Sequence, residues 1–71
     1  MSRVVANITK HDTFVSHYIP VKEYYQIYEH MMWITDNDHE VSAEAADWCE
    51  MAAIGEEFSF REGYITIEGG K

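Results

Sequence analysis

The sequence predicts an α+β fold: a small antiparallel sheet of two hairpins with two helices on one face, in the order β-β-α-α-β-β. Three observations carry that expectation. Apolar residues alternate near both ends of the chain, they recur at three- and four-residue spacing through the middle, and the polar stretches between these segments are short. The length of 71 residues suits one domain spanning 1–71. A chain of this size buries only about 60% of the surface its unfolded form exposes. A hydrophobic content of 46%, with two Trp, five Tyr and three Phe, still supplies the apolar area a packed core requires.

Arg3 to Thr9 reads as the first strand, with Val4, Ala6 and Ile8 alternating with Arg3, Asn7 and Thr9. Lys10-His11-Asp12 breaks the pattern, and Thr13 to Ile19 resumes it with Val15 and Ile19 on one face and Phe14 and Tyr18 on the other. A two-residue turn at His11-Asp12 would set Ile8 opposite Val15 and Val4 opposite Ile19. Pro20 suits the first turn of a helix, where its missing N–H costs nothing. From Val21 the period becomes helical: Val21, Tyr24, Tyr25, Tyr28, Met31 and Met32 form a stripe that Ile27 and Ile34 widen, with Lys22, Glu23, Gln26 and Glu29 opposite. Thr35 to Glu40 is polar throughout and reads as a connector.

Ser42 is expected to cap the second helix, and Gly55 to end it in the left-handed conformation. Within it Ala45, Trp48, Cys49 and Ala52 form the core stripe, while Glu44, Asp47 and Glu50 lie away from it. Glu56 to Phe60 and Tyr64 to Glu68 make the second hairpin. A Glu62-Gly63 turn collects Phe58, Phe60, Ile65 and Ile67 on one face, whereas a three-residue turn would split them. Gly69-Gly70-Lys71 is expected to fray.

No arrangement of residues points to catalysis, and neither an enzyme nor a cofactor is expected. Asp36, Asp38, His39 and Glu40 are the closest approach to a metal cluster, but they lack the alternation, the glycine and the distal glutamate of a calcium loop. His11 and His17 read as turn and strand residues, and His30 as a boundary position on the Tyr/Met-rich helix. One cysteine and scattered histidines do not make a zinc site. Cys49 lies on an apolar stripe of an acid-rich helix, where its thiol stays protonated and inert. Glu56 and Glu57 are adjacent strand residues that point to opposite faces. The chain has no glycine-rich phosphate cradle, no membrane-length apolar run and no signal-peptide pattern. With one unpaired cysteine the expected location is the cytoplasm.

Charge is the informative feature. Residues 1–35 carry Asp12, Glu23 and Glu29 against Arg3, Lys10 and Lys22, so 3 − 3 = 0. Residues 36–71 carry ten acids against Arg61 and Lys71, so 2 − 10 = −8, the whole net charge of the protein. That density repels phosphate and excludes direct nucleic-acid binding, whose affinity comes mainly from Lys and Arg. It suits instead a basic partner, for which Asp36, Asp38, Glu40, Glu44, Asp47, Glu50, Glu56 and Glu57 are the candidate contacts, with Trp33 or Tyr64 as supporting aromatics.

In size, acidity and absence of a catalytic motif, the chain resembles the small acidic proteins that phages encode against host defence, among them anti-CRISPR proteins and anti-restriction DNA mimics. The resemblance implies an inhibitor that occupies the basic nucleic-acid-binding surface of a defence protein in the host cytoplasm. Such proteins share no motif, so it assigns no residue roles. Two other readings are a homodimer through Tyr24, Tyr28, Met31 and Met32, and a small metal-binding module.

Overall fold

The structure is a computed structural model that describes residues 3–13 and 16–70. Its elements are β1 (Arg3–Lys10), β2 (Ser16–Pro20), α1 (Tyr24–Ile34), α2 (His39–Met51), β3 (Glu57–Phe60) and β4 (Gly63–Gly70). This is the expected α+β order. The strands form one antiparallel sheet in the order β2-β1-β4-β3. The two hairpins are therefore joined through β1 and β4, which pair along their full length from Arg3 opposite Gly70 to Lys10 opposite Gly63.

Alternation in the strands builds one apolar face. Ala6 and Ile8 of β1 and Ile65 and Ile67 of β4 are buried beneath Ile27, Met31 and Ile34 of α1 and Ala45, Ala46 and Cys49 of α2. Each large aliphatic buried this way stabilises the fold by about 1.5–3 kcal/mol. Small residues decide where α2 can sit: Ser42, Ala45 and Ala46 are all fully buried, so its backbone approaches its neighbours closely. Trp48 is half-buried at the rim, its ring 5.4 Å from that of Phe58. The opposite sheet face is polar: Asn7 Nδ2 donates to Glu68 Oε2 at 2.8 Å and Thr66 Oγ1 donates to the same oxygen at 3.3 Å.

Both hairpins differ from expectation by a two-residue shift, which keeps the described side chains on their expected faces. In the first, Ile8 pairs with His17 and Ala6 with Ile19, so the connection is longer than His11-Asp12. Phe14 and Val15 lie outside the described residues. In the second, Phe58 pairs with Ile65 and Phe60 with Gly63, so the turn is Arg61-Glu62. Gly63 is not a turn residue because β1 needs it: a Cβ there would lie 2.0 Å from the Thr9 carbonyl oxygen. Gly69 and Gly70 are paired with Val4 and Arg3 instead of fraying, since β1 supplies backbone partners that far.

The helix ends differ as well. Pro20 closes β2, and α1 begins at Tyr24 after Glu23. Tyr25 is 79% exposed, because the buried line runs through Ile27, Met31 and Ile34 and turns Tyr25 outward. The end of α1 is a Schellman turn: Asn37 N–H donates to the Met32 carbonyl at 2.8 Å while Asp36 and Asn37 take positive φ of 56° and 68°. Asp and Asn tolerate that conformation better than most residues. The cap of α2 is Asp38, not Ser42: its Oδ1 accepts the Val41 N–H at 3.1 Å. Ser42 lies a full turn inside the helix, its hydroxyl 3.5 Å from that of Thr35, which donates to the Met31 carbonyl at 2.7 Å. Nor does Gly55 end α2, which stops at Met51. With φ of 97°, Gly55 takes the third position of the turn that Glu56 N–H closes onto the Ala53 carbonyl.

Two substitutions test these placements by urea denaturation. Gly63→Ala forces β1 and β4 apart and is expected to cost about 2–3 kcal/mol, a large fraction of the stability of a domain this small. Asp38→Ala removes one cap and is expected to cost about 1 kcal/mol, whereas Ser42→Ala leaves the cap intact.

Candidate functional site

The eight carboxylates singled out by charge do not form one patch. α2 aligns Glu40, Glu44 and Asp47 at i, i+4 and i+7, all exposed. With 1.5 Å of rise per residue, successive charges stand about 6 and 4.5 Å apart along the axis, against about 3.4 Å per phosphate along one DNA strand. Glu50 stands beside this line, close to α1: it and Asp47 both act on the Tyr24 hydroxyl. Asp36 and Asp38 extend the acid past the N-terminal end of the helix, and both also shape the interhelical turn. Glu56 lies beyond the other end, where its Oε1 accepts the Ala53 N–H at 2.8 Å. Glu57 is separated from the rest. It occupies a β3 position that alternates with the inward Phe58 and so faces the helix-free side of the sheet.

Among the described residues, none of these carboxylates has a lysine or arginine within ion-pair distance, and α2 carries no base in its last turn. Past the first turn, where Glu40 suits the helix dipole, the line opposes its own helix. Glu40/Glu44, Glu44/Asp47 and Asp47/Glu50 are like-charge neighbours, each unfavourable by about 0.2–0.5 kcal/mol. Glu50 also sits at the negative end of the helix dipole.

The expected supporting aromatics lie elsewhere. Trp33 is exposed on α1 near the end of β1, and Tyr64 is half-buried on the helix-free face against His11, their rings 5.8 Å apart. What the acidic line does reach is apolar and aliphatic. Met51 continues it at i+11 and is 87% exposed, and Ile54, three residues past the end of the helix, is 61% exposed and lies over Gly69 of β4. Sequence patterning gave no sign of this pair, because Met51 falls within the helix and Ile54 beside a glycine, where either could equally have faced the core.

The other chemistry-bearing residues have local roles. Among the described residues, no three His, Cys, Asp or Glu side chains are grouped to hold a metal ion. His39 Nδ1 lies 2.6 Å from the Tyr28 hydroxyl, which ties α1 to α2. The stripe expected to mediate dimerisation is largely occupied within the chain: Met31 is fully buried, Tyr28 holds His39, and Tyr24 bonds to Asp47. Burial raises the pKa of the Tyr24 hydroxyl, helped by its bond to Asp47 and the charges of Asp47 and Glu50. Burial alone pushes the Cys49 thiol up to about 11. His30 moves the other way: partial burial, then the neighbouring His17, lowers its pKa below the ordinary 6.5. No helix is long and apolar enough to cross a membrane among the described residues. Comparison with known proteins finds no matching family model, no similar curated protein and no similar solved structure.

Two measurements check these assignments. Cys49 should resist alkylation in the native protein near neutral pH and react once urea unfolds it, since only the thiolate attacks. For His30, a folded pKa below 6.5 favours the neutral ring, so its contribution is present above pH 6.5 and lost as pH falls through the folded value. Urea titrations should show stability falling from about pH 7 towards pH 5, and less steeply in His30→Phe.

Proposed function

We propose that this protein is an acidic interaction module whose α2 face occupies the basic nucleic-acid-binding surface of another protein, as an anti-defence inhibitor of the anti-CRISPR or anti-restriction kind would. The observation that carries the reading is the line of Glu40, Glu44 and Asp47, flanked by Glu50, on one rigid helix with no base in its last turn. Apart from the Asp47 bond to Tyr24 and the place of Glu40 in the first turn, folding gains nothing from like charges at adjacent turns, and solubility does not require them to be aligned. A basic groove does respond to alignment. Carboxylates a few ångströms apart present it with a field resembling a strand of phosphates, which speeds encounter and fixes orientation.

Size places a condition on the complex. A standard interface covers about 800 Å² on each partner, roughly a sixth of this protein's 4836 Å² surface. A single helix face is smaller than that. The partner would therefore cover α2 together with Asp36 and Asp38 at one end and Met51 and Ile54 at the other. The two exposed aliphatic side chains would supply the dehydrated contact that a purely ionic interface lacks. Glu57 lies on the other side of the sheet and belongs outside this footprint.

The test is affinity capture from a host lysate with duplex DNA as competitor and salt as variable. Captured protein should be displaced by the duplex and released steeply between low and high ionic strength. The Glu44→Gln/Asp47→Asn/Glu50→Gln variant should lose most of the capture, while Glu57→Gln retains it. Capture that persists at high salt or ignores the duplex contradicts the proposal.

A further inference from the structure

Away from the acidic line, where β1 and β2 meet the C-terminal half of α1, the surface opens into a cavity of about 120 Å³. Lys10, Thr13, His17, His30, Trp33 and Ile34 line it. Among the described residues, none of α2, β3 or β4 takes part. Its floor is aromatic and aliphatic, and its polar groups are Lys10, two imidazoles and the Thr13 hydroxyl. The Lys10 ammonium stands 5.9 Å from the Trp33 ring centroid, and the imidazoles of His17 and His30 are 4.3 Å apart with His30 also against Trp33. In a protein carrying 13 acids, no carboxylate among the described residues lines this cavity.

One atom there is unsatisfied. His30 Nε2 is buried and has no hydrogen-bond partner. A buried polar atom left unpaired costs about 1–3 kcal/mol, so its position beside an open cavity points to a group that completes it. The lining decides the sign of that group. A metal cation would meet the Lys10 charge and only two imidazoles, with no third His, Cys, Asp or Glu grouped beside them among the described residues. An anion meets the opposite situation: the ammonium attracts it, and a ring N–H at Nε2 can donate to it. The volume sets the size: it is less than the roughly 150 Å³ that encloses benzene, so a ring seats only partly in it and leaves an edge in solvent.

We propose that this cavity is a binding site for a small organic carboxylate with a flat or compact apolar body. The body packs on Trp33 and Ile34, and the carboxylate accepts from Lys10 Nζ and, once the imidazole turns outward, from His30 Nε2–H. Binding is coupled to proton uptake. His17 from β2 and Trp33 from its own helix lie against the His30 ring, and Lys10 from β1 lines the same cavity. A bound carboxylate offsets the repulsion that a charged imidazole meets from His17. Affinity therefore rises as pH falls through the histidine range.

Benzoate is a suitable probe, benzamide its neutral counterpart, and zinc ion the competing occupant. In an NMR titration of the full chain, benzoate should give saturable shifts centred on the His17 and His30 imidazoles and the Trp33 indole, with a Kd on the order of 1 mM. Benzamide should bind at least several-fold more weakly, and benzoate should bind more tightly at pH 6 than at pH 8. Lys10→Met should raise the benzoate Kd about tenfold. His30→Phe removes the nitrogen while keeping a ring, and should do the same if it folds. Lys10→Met, at a partly exposed strand end, keeps the test decisive if it does not. Equal binding of benzoate and benzamide, shifts centred elsewhere, no saturation, or zinc binding in preference to benzoate would each overturn the assignment.

Discussion

The structure depends on the pairing of β1 with β4. These are the first and last strands of the chain, and their ladder runs eight residues without interruption. It joins two hairpins that would each be marginal alone. It also fixes the apolar surface of Ala6, Ile8, Ile65 and Ile67 on which both helices rest. The pairing requires that the strands approach closely where β4 begins, and Gly63 permits this by having no side chain against the Thr9 carbonyl. His11 N–H extends the contact, donating to the Glu62 carbonyl at 2.9 Å. Because the ladder closes the chain end to end, the helical hairpin is held at both ends by one sheet.

That frame separates two surfaces with different electrostatics. Lys10, His17 and His30 gather near the end of β1, where the neutral half of the sequence folds on itself. The acids of the second half lie along α2 and its flanks, on an element held in place by alanines and a serine instead of large side chains. The protein can therefore carry −8 without placing a carboxylate in its core. It does so at some expense to α2, whose last turn holds Glu50 and no compensating base.

Much of this was legible in the residues. The period-2 runs at the ends and the helical period in the middle give the element order, and face assignment survives even where register does not. Phe58 stays with Ile65 and Ile67 after a two-residue shift because a strand repeats every two residues. The helix ends were harder, since several residues can serve each role. Asp38 and Ser42 are both good caps, and the choice fell to Asp38 once Ser42 was needed as a small buried contact beside Thr35. Gly63 looked like a turn residue because glycine's conformational freedom is visible in sequence and a passing strand is not. The acids were legible as composition, but only the helix shows which of them align. That His17 and His30 meet is a consequence of β2 register against α1, which no local pattern encodes.

The claim on which the account turns is that the acidic line of α2, beyond the one bond from Tyr24 to Asp47, serves contact and not folding. The most direct check is the urea stability of the Glu44→Gln/Asp47→Asn/Glu50→Gln variant against the parent across ionic strength. The account predicts a variant at least as stable at low salt, by up to about 1 kcal/mol, with the difference shrinking as salt screens the parent's repulsion. A variant less stable than the parent by more than about 1 kcal/mol at low salt would show that these carboxylates hold the fold together.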